Sequence, residues 1–410
     1  MRPFFALTLL VTVQARAQTP VDPALAAYIA SIKAIDNHAH PMAVVPPGGA
    51  PDTDYDALPL GGIPDFPLPW RLTLEAPVWG QAAHALAGVT TPAQALDRFG
   101  IQLEFANRIA MGAGLDSGRF RWVPFDDPLI FPLDTRLAGQ TPDTRALYPL
   151  EAKLIRRYLG DLGLSALPPT LAEFRRQVVV PILQRQHDSG APAIKFEVAY
   201  LRSFDFATPD TARAAAIYAQ YAVGGAPSAD EVKVLSDALF RDVAREAGKL
   251  GMAVHLHALE FFGGYYQAEG ARPGLLEGVF NDSTLRHTNF ILIHGGWPHV
   301  GETEAMLAKP NVYADISMMD LILAPEELAT VLRGWLMRWP DKVLFGTDAF
   351  DGGPKQTWEM GAWVASTTAR RALGMALTAM VRDGDITMPQ ARTLARKVLR
   401  DNAIALYHLK

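Results

Sequence analysis

The sequence predicts an α/β protein built as one (β/α)8 TIM barrel over residues 22–408. Strand-like and helix-like segments alternate along the chain, most regularly after residue 250. The strand-like segments are nearly all apolar, as expected for parallel strands covered by helices. Eight such segments can be counted, and this number favours a closed barrel over an open sheet.

Each predicted strand is a short apolar run, and most are followed by a helix-like segment. The strands are predicted at 32–41, 102–110, 119–125, 193–200, 252–257, 289–294, 312–316 and 342–345. The helical segments are predicted at 22–33, 92–99, 151–186 with a break, 209–222, 229–249, 274–286, 301–308, 325–338, 357–382 and 388–406. Thr91 is a suitable N-cap for the helix at 92–99, and Gly100 a suitable stop.

One long segment interrupts this alternation. Residues 41–82 are rich in Pro and Gly and follow the first strand directly. Long loops in compact domains are usually functional or disordered. The position favours a lid-like insert over the barrel mouth, with a disordered insert as the alternative.

Composition limits the possible partners and ligands. The chain has 410 residues, 49% hydrophobic and 20% charged, with net charge −5. This mild acidity gives no reason to expect a nucleic-acid partner, and a small-molecule substrate fits a barrel better. There is no cysteine, so a metal site must use histidine, carboxylate or lysine, which suits zinc, manganese, iron or nickel. A homo-oligomer is compatible with the sequence.

The first 17 residues have the features of a secretory signal peptide. Arg2 precedes an apolar run, and Ala15-Arg16-Ala17 fits the small-residue cleavage pattern. The apolar run is too short to cross a bilayer, which argues against a membrane anchor. The sequence therefore predicts a cleaved signal peptide at 1–17 and a periplasmic or secreted protein.

Metal-competent side chains recur at the ends of the predicted strands. His38 and His40 lie on one face of the first strand, because side chains alternate along a strand. Barrel enzymes place their chemistry at these C-terminal strand ends. The other metal-competent side chains at or near strand ends are Lys195, His255, His257, His294 and Asp348.

This combination resembles the amidohydrolase superfamily, and in particular its amidohydrolase-related (amidohydrolase 2) branch. The resemblance spans roughly residues 30–408. It lies in the His-x-His pair, the strand-five histidine, and the segments Phe290-Ile-Leu-Ile-His294-Gly-Gly, Pro310-Asn-Val-Tyr313-Ala-Asp315-Ile-Ser, Phe345-Gly-Thr-Asp348 and Asp401-Asn402-Ala-Ile-Ala-Leu-Tyr407. It implies a barrel fold, one or two divalent metal ions, expected to be zinc, and a metal-activated water.

The resemblance also implies roles for single residues. His294 would contact substrate or bind a second metal. Asp348 would bind metal and take a proton from the water, although an aspartate after Gly-Thr could instead serve a turn or helix cap. His255 would lie one layer deeper than His257, as a hydrogen-bonded core residue. The implied ligands are His38, His40, His257 and Asp348.

Lys195 departs from the simplest pattern of that branch. Binuclear members of the wider superfamily carry a carboxylated lysine on strand four, which bridges two ions. In that arrangement one ion is held by His38, His40 and Asp348, and a second ion is held by His257 and His294. The carboxylated Lys195 bridges the two ions. The alternatives are a buried Lys195–Glu197 ion pair and Glu197 as the bridging ligand in place of Lys195. Asp315 is expected to support the site without binding metal.

Two residues near the mouth are expected to bind substrate. Arg202 could hold a substrate carboxylate through two hydrogen bonds, and Trp297 could line the pocket. A solvated surface arginine is the alternative for Arg202.

The first functional hypothesis is a metal-dependent hydrolase that cleaves an amide, lactone or ester. The second is a non-oxidative decarboxylase of the same family. A third, different in kind, is a metal-free barrel enzyme that forms a Schiff base at Lys195.

Overall fold

A computed structural model of the chain describes residues 20–43, 45, 48–54, 67–139, 145–259 and 267–409. The predicted signal peptide at 1–17 lies outside these residues and stays a prediction. No helix among the described residues has the length and apolarity needed to cross a membrane.

Within the described residues, eight parallel strands follow one another around the barrel in chain order. They are β1 Ala34–Ala39, β2 Ile101–Asn107, β3 Phe120–Val123, β4 Ala193–Phe196, β5 Ala253–His257, β6 Phe290–Ile293, β7 Val312–Asp315 and β8 Val343–Leu344. Strands β1 to β3 form one hydrogen-bonded run, and β4 to β8 form another.

Backbone hydrogen bonds join these two runs into a closed barrel. Between β3 and β4, Lys195 N donates to Pro124 O at 2.8 Å, and Asp126 N donates to Lys195 O at 2.9 Å. Between β8 and β1, Asn37 N donates to Phe345 O at 2.9 Å, and Asp348 N donates to His38 O at 2.7 Å. The predicted (β/α)8 barrel is therefore confirmed.

The helices surround the barrel. They are α1 Pro23–Ser31, α2 Pro77–Ala85, α3 Pro92–Phe99, α4 Tyr148–Asp161, α5 Leu171–Phe174, α6 Val180–Asp188, α7 Val198–Leu201, α8 Thr211–Tyr221, α9 Ala229–Lys249, α10 Glu277–Phe280, α11 Val300–Met306, α12 Met319–Ile322, α13 Pro325–Arg338, α14 Trp358–Arg382, α15 Met388–Arg396 and α16 Asn402–Tyr407. The predicted cap is present, since Thr91 Oγ1 accepts a hydrogen bond from Gln94 N, and Gly100 ends α3 with φ +70°.

The last helix closes the bottom of the barrel. Leu406 and Tyr407 of α16 pack with inward-facing strand residues such as Ile35 and Phe105. Asn402 Nδ2 donates to Val343 O, at the start of β8, at 2.8 Å. The chemistry-bearing end of the barrel is therefore the opposite one, where the strands end.

Three predicted elements were wrong in extent. The strand predicted over 193–200 ends at Phe196, because Glu197 N donates to the Asp127 carboxylate rather than to a strand neighbour. The helix predicted over 274–286 is three short turns, with glycines at 274 and 278 that weaken a continuous helix. The helix predicted over 388–406 contains a π-helical turn at Lys397–Asp401.

The insert after β1 is partly helical rather than a loop throughout, because α2 begins at Pro77, within the predicted 41–82 segment. Its beginning is attached to the barrel by a buried ion pair, in which Arg108 Nη2 lies 2.9 Å from Asp52 Oδ1. Residues 44, 46–47 and 55–66 of the insert lie outside the described residues. Its role as a lid stays a prediction.

Arg370 of α14 fastens the ends of two helices that lead into the first two strands. Its guanidinium donates to Ile29 O at 2.6 Å, and to Ile32 O and Gly100 O at 3.1 Å each. Burial lowers the pKa of Arg370 to about 10. This side chain therefore ties α14 to the entry points of β1 and β2.

Replacing this buried guanidinium should destabilise the fold. We expect Arg370→Ala to lower the free energy of unfolding by about 2–4 kcal/mol, because charged donors to three carbonyls are lost. Arg371→Ala is the matched control on the same helix. Its side chain is 56% exposed, and we expect a change within about 0.5 kcal/mol. Denaturant unfolding measures both, and equal losses would contradict this role for Arg370.

Candidate metal centre

The six predicted metal-site residues meet inside the mouth of the barrel. His38 and His40 lie at the end of β1, Lys195 lies on β4 and His257 ends β5. His294 follows β6 directly, and Asp348 follows β8. None of the six is more than 6% exposed.

The first group of ligand atoms lies at the junction of β8 and β1. Asp348 Oδ1 is 2.9 Å from His38 Nε2 and 3.3 Å from His40 Nε2. Neighbouring ligands of an ion bound at about 2.1 Å stand roughly 3.0–3.4 Å apart. His38, His294 and Asp348 can also offer ligand atoms that lie within 4.8 Å of one another.

The second group lies on the adjacent strands β5 and β6. His257 Nδ1 and His294 Nε2 are 3.0 Å apart. The Tyr200 hydroxyl lies 3.2 Å from the same His257 nitrogen. Two imidazole nitrogens that face each other at this distance can share a proton or can bind one ion between them.

Lys195 lies beside the first group. Its Nζ is 3.4 Å from His38 Nε2 and 3.9 Å from Glu197 Oε1. The contact with Glu197 expected for a buried ion pair is therefore present, at the long limit for such a pair. The bridging role of a carboxylated Lys195 stays a prediction.

Burial sets the charge states of the ligand side chains. It is the main cause that lowers the pKa of His38, His257 and His294 well below the ordinary value. Burial alone would raise the pKa of Asp348, but His294, His40 and Lys195 outweigh it and lower that pKa overall. Neutral imidazoles with bare nitrogens and an ionised carboxylate form a suitable donor set for a divalent cation, so the residues fit a metal.

Strained backbone supports this arrangement. The backbone φ angles of His294, Met318 and Asp348 are 67°, 57° and 51°. Residues other than glycine rarely adopt this left-handed region. Each follows the end of one of three consecutive strands, β6, β7 and β8. Such conformations persist only where the surroundings hold them, and they concentrate at functional sites.

Hydrogen bonds beneath the site provide that hold. Asp36 accepts from Thr347 Oγ1 at 2.6 Å and from the His38 backbone at 3.1 Å, so it locks the strand that carries His38 to the turn before Asp348. Asn107 Nδ2 lies 2.8 Å from His38 Nδ1 and orients that ring. The sequence reasoning missed Asp36 and Asn107, although an acidic residue two positions before a His-x-His pair was a usable signal.

Asp315 has the supporting role that the sequence predicted. Its Oδ1 accepts hydrogen bonds from the His294 backbone at 2.8 Å and from the Ser317 hydroxyl at 2.7 Å. Ser317 in turn lies 2.9 Å from His294 Nδ1. Sequence reasoning gave Ser317 no role. His255 is also as expected, a buried residue hydrogen-bonded to the Tyr407 hydroxyl at 2.8 Å.

The structure places the two predicted substrate-binding residues without testing that role. Arg202 lies 2.8 Å from Asp237 and donates to Ser236 Oγ at 2.7 Å, so its guanidinium already has partners. The alternative of a solvated surface arginine is wrong, since its side chain is only 9% exposed. Trp297 is half-buried beside the His294 turn, and its backbone N–H donates to His294 O at 3.2 Å.

A closed eight-stranded barrel with buried histidine and aspartate side chains gathered at its strand ends is the architecture of metal-dependent barrel enzymes. The family described as Amidohydrolase matches residues 35–409. The chain therefore belongs to the amidohydrolase family, as its motifs predicted.

Known structures agree with this fold. A protein of Lactobacillus casei ATCC 334, described as a metal-dependent hydrolase, superposes with TM-score 0.64 at 13% identity, covering 94% of this chain and 97% of that one. Glucuronate isomerase of Caulobacter crescentus gives TM-score 0.61 at 14% identity, covering 96% of each chain. At these identities the likeness concerns the fold alone.

One curated relative aligns with part of the chain. It is protein fluG of Emericella nidulans, 28% identical over 123 residues, which are 30% of this chain. The aligned region is only 14% of the length of that relative.

The turn after β6 leaves no room for a side chain at residue 295. Gly295 has φ +60°, and a Cβ there would lie 2.7 Å from the Trp335 ring and 2.8 Å from Met319 Sδ. We expect Gly295→Ala to lower the free energy of unfolding by about 2–4 kcal/mol through strain and overpacking.

Gly301→Ala is the control for this substitution. Gly301 lies in α11, and nothing lies within 4 Å of an added Cβ. The control should be neutral, or stabilising by up to about 1 kcal/mol, because alanine favours helix. Thermal unfolding of the two variants checks this prediction, which fails if Gly295→Ala is as stable as Gly301→Ala.

Proposed function

We propose that this protein is a metal-dependent hydrolase with a two-ion site, acting on an amide, lactone or ester bond of a small substrate. The observation that carries the proposal is the presence of two groups of ligand atoms at spacings suited to ions. His38, His40 and Asp348 form one group at 2.9–3.3 Å. His257 and His294 form the other at 3.0 Å.

Divalent ions held there, zinc first among them, would supply Lewis acidity toward a carbonyl group and make water nucleophilic at neutral pH. The protein residues supply orientation and proton transfer. Asp348 is ionised, and its Oδ2 is the oxygen turned toward His294, with 3.8 Å to His294 Nδ1. This carboxylate can take a proton from the attacking water and pass it to the leaving group.

Lys195 is assigned the role of joining the two groups as a carbamate. The neutral amine forms a new N–C bond to carbon dioxide and releases one proton, which gives a carboxylate on the side chain. Support comes from the burial of Lys195 and from the 3.4 Å between its Nζ and His38 Nε2. The competing arrangement keeps Lys195 paired with Glu197, and a single ion is then held by His38, His40, His257 and Asp348.

The one-ion arrangement is the one that the alternative function, a decarboxylase, requires. A single ion without a modified lysine would serve to hold an acidic substrate while carbon dioxide leaves. The specific observation in its favour is the 3.9 Å contact between Lys195 and Glu197. The number of bound ions and the state of Lys195 therefore separate the two-ion hydrolase from a one-ion enzyme, which is either a decarboxylase or a one-ion hydrolase.

We further propose that the protein is exported and that residues 1–17 are removed. Support comes from the basic start, the apolar run and the small-residue site in the sequence. Mass spectrometry of the mature protein from the periplasm or medium tests this, and an intact Met1 on the exported protein would contradict cleavage.

Metal removal tests the function most directly. We expect the purified protein to hold two divalent ions per chain by elemental analysis. Dialysis against a strong chelator should lower turnover of ester, lactone and amide substrates by at least about 10³-fold, because the activation of water depends on the ions. Adding Zn²⁺ or Mn²⁺ back should restore it. Full turnover with less than one ion per chain would contradict the proposal.

Lys195→Ala separates the two-ion hydrolase from the one-ion alternative. We expect the metal content to fall from two ions to one or fewer, and turnover to fall at least about 10²-fold, as when a group that orients metal ligands is lost. Lys309→Ala is a control at a lysine that pairs with Glu277. If Lys195→Ala keeps its metal and turnover, the one-ion site is favoured, and carbon dioxide release from aromatic acids then tests the decarboxylase.

A further inference from the structure

A continuous line of buried hydrogen bonds runs from Asp315 to the second ligand group. Asp315 Oδ1 is 2.7 Å from Ser317 Oγ, which is 2.9 Å from His294 Nδ1. His294 Nε2 then faces His257 Nδ1 at 3.0 Å. None of the four residues is more than 3% exposed, so water does not compete for these contacts.

The positions of the protons along this line follow from the number of hydrogens available. A carboxylate can only accept, and a serine hydroxyl has one hydrogen to give. That hydrogen goes to Asp315, so Ser317 Oγ must accept from His294 Nδ1–H. A neutral His294 with its proton on Nδ1 has a bare Nε2, which is the nitrogen turned toward His257.

Other contacts hold Asp315 in its accepting orientation. Asn37 Nδ2 donates to Asp315 Oδ2 at 2.9 Å, and the His294 and Ser317 backbones both donate to Oδ1. The Tyr407 hydroxyl donates to the Asn37 side-chain oxygen from below. With the Ser317 hydroxyl, four donors point at the carboxylate, so Asp315 acts as an acceptor in every contact of this line.

We propose that Ser317 and Asp315 are positioning residues that preset His294 as an Nε2 ligand for the second ion. This inference rests on the proposed two-ion function. It is specific to the second group, because the ring of His38 is oriented by Asn107 instead. Loss of the Ser317 hydroxyl frees His294 to place its proton on either nitrogen. The second ion should then bind more weakly while the first ion is little affected.

The test compares Ser317→Ala with the wild-type full-length chain. Both are stripped with chelator and titrated with Co²⁺, and bound metal is followed by equilibrium dialysis and visible absorption. We expect the affinity for the second Co²⁺ to fall about 10–100-fold, the usual effect of losing a residue that orients a ligand. The affinity for the first Co²⁺ should change less than about threefold.

Ser366→Ala is the matched control. Ser366 is also buried and also donates its hydroxyl hydrogen, to Phe99 O at 3.2 Å, but it lies on α14 outside the barrel. It should leave both Co²⁺ affinities unchanged. Thermal unfolding of both variants confirms that each is folded.

A second measurement needs no metal. In metal-free wild-type protein labelled with ¹⁵N at histidine, His294 should show the Nδ1–H tautomer. In Ser317→Ala it should show a mixture of the two tautomers. Wild-type His294 with its proton on Nε2 would overturn the inference whatever the number of ions bound.

The two failures are distinguishable. If the wild type takes up two Co²⁺ and Ser317→Ala binds both equally well, the inference is wrong and the two-ion function stands. If the wild type takes up only one Co²⁺, the two-ion function is wrong. The role of Ser317 in selecting the His294 tautomer is then decided by the nitrogen spectra alone.

Discussion

The closure of β8 onto β1 is the interaction on which the rest of the site depends. The 2.7 Å hydrogen bond from Asp348 N to His38 O joins residues separated by 310 positions in the chain, and it seals the barrel. The same bond brings the Asp348 carboxylate to the two histidines of β1. Barrel closure and assembly of the first ligand group are therefore one structural event, and Asp36 reinforces it by holding Thr347.

The two ligand groups are built in different ways. The first joins side chains from opposite ends of the chain across the closing seam, so it exists only when the barrel is complete. The second uses neighbouring strands β5 and β6, which are hydrogen-bonded to each other within one run. Lys195, on β4, lies next to β5 in that run and also contacts His38. This position, between β5 and His38, is what the proposed link between the two groups rests on.

Much of the fold, and the gathering of candidate ligand side chains at the strand ends, could be predicted because both depend on local patterns. Apolar runs of strand length predicted the eight strands in the right order. Clear capping residues predicted where some of the helices begin and end. A histidine pair at period two, such as His38 and His40, must share a face. Errors came where a distant residue competes for the backbone, as Asp127 does for Glu197 N. Arg202 was expected to be free for substrate or solvent, but Asp237, 35 positions later, pairs with it.

The sequence alone determined that this chain forms a parallel α/β barrel with histidine and carboxylate groups at its strand ends, because periodicity and residue type are properties of short segments. Only the tertiary structure decided which nitrogen of each histidine faces which partner. It also decided that His294, Met318 and Asp348 are held at positive φ, and that Ser317 and Asp315 support His294. These features depend on side-chain direction and on contacts between strands, which exist only after distant segments have packed together.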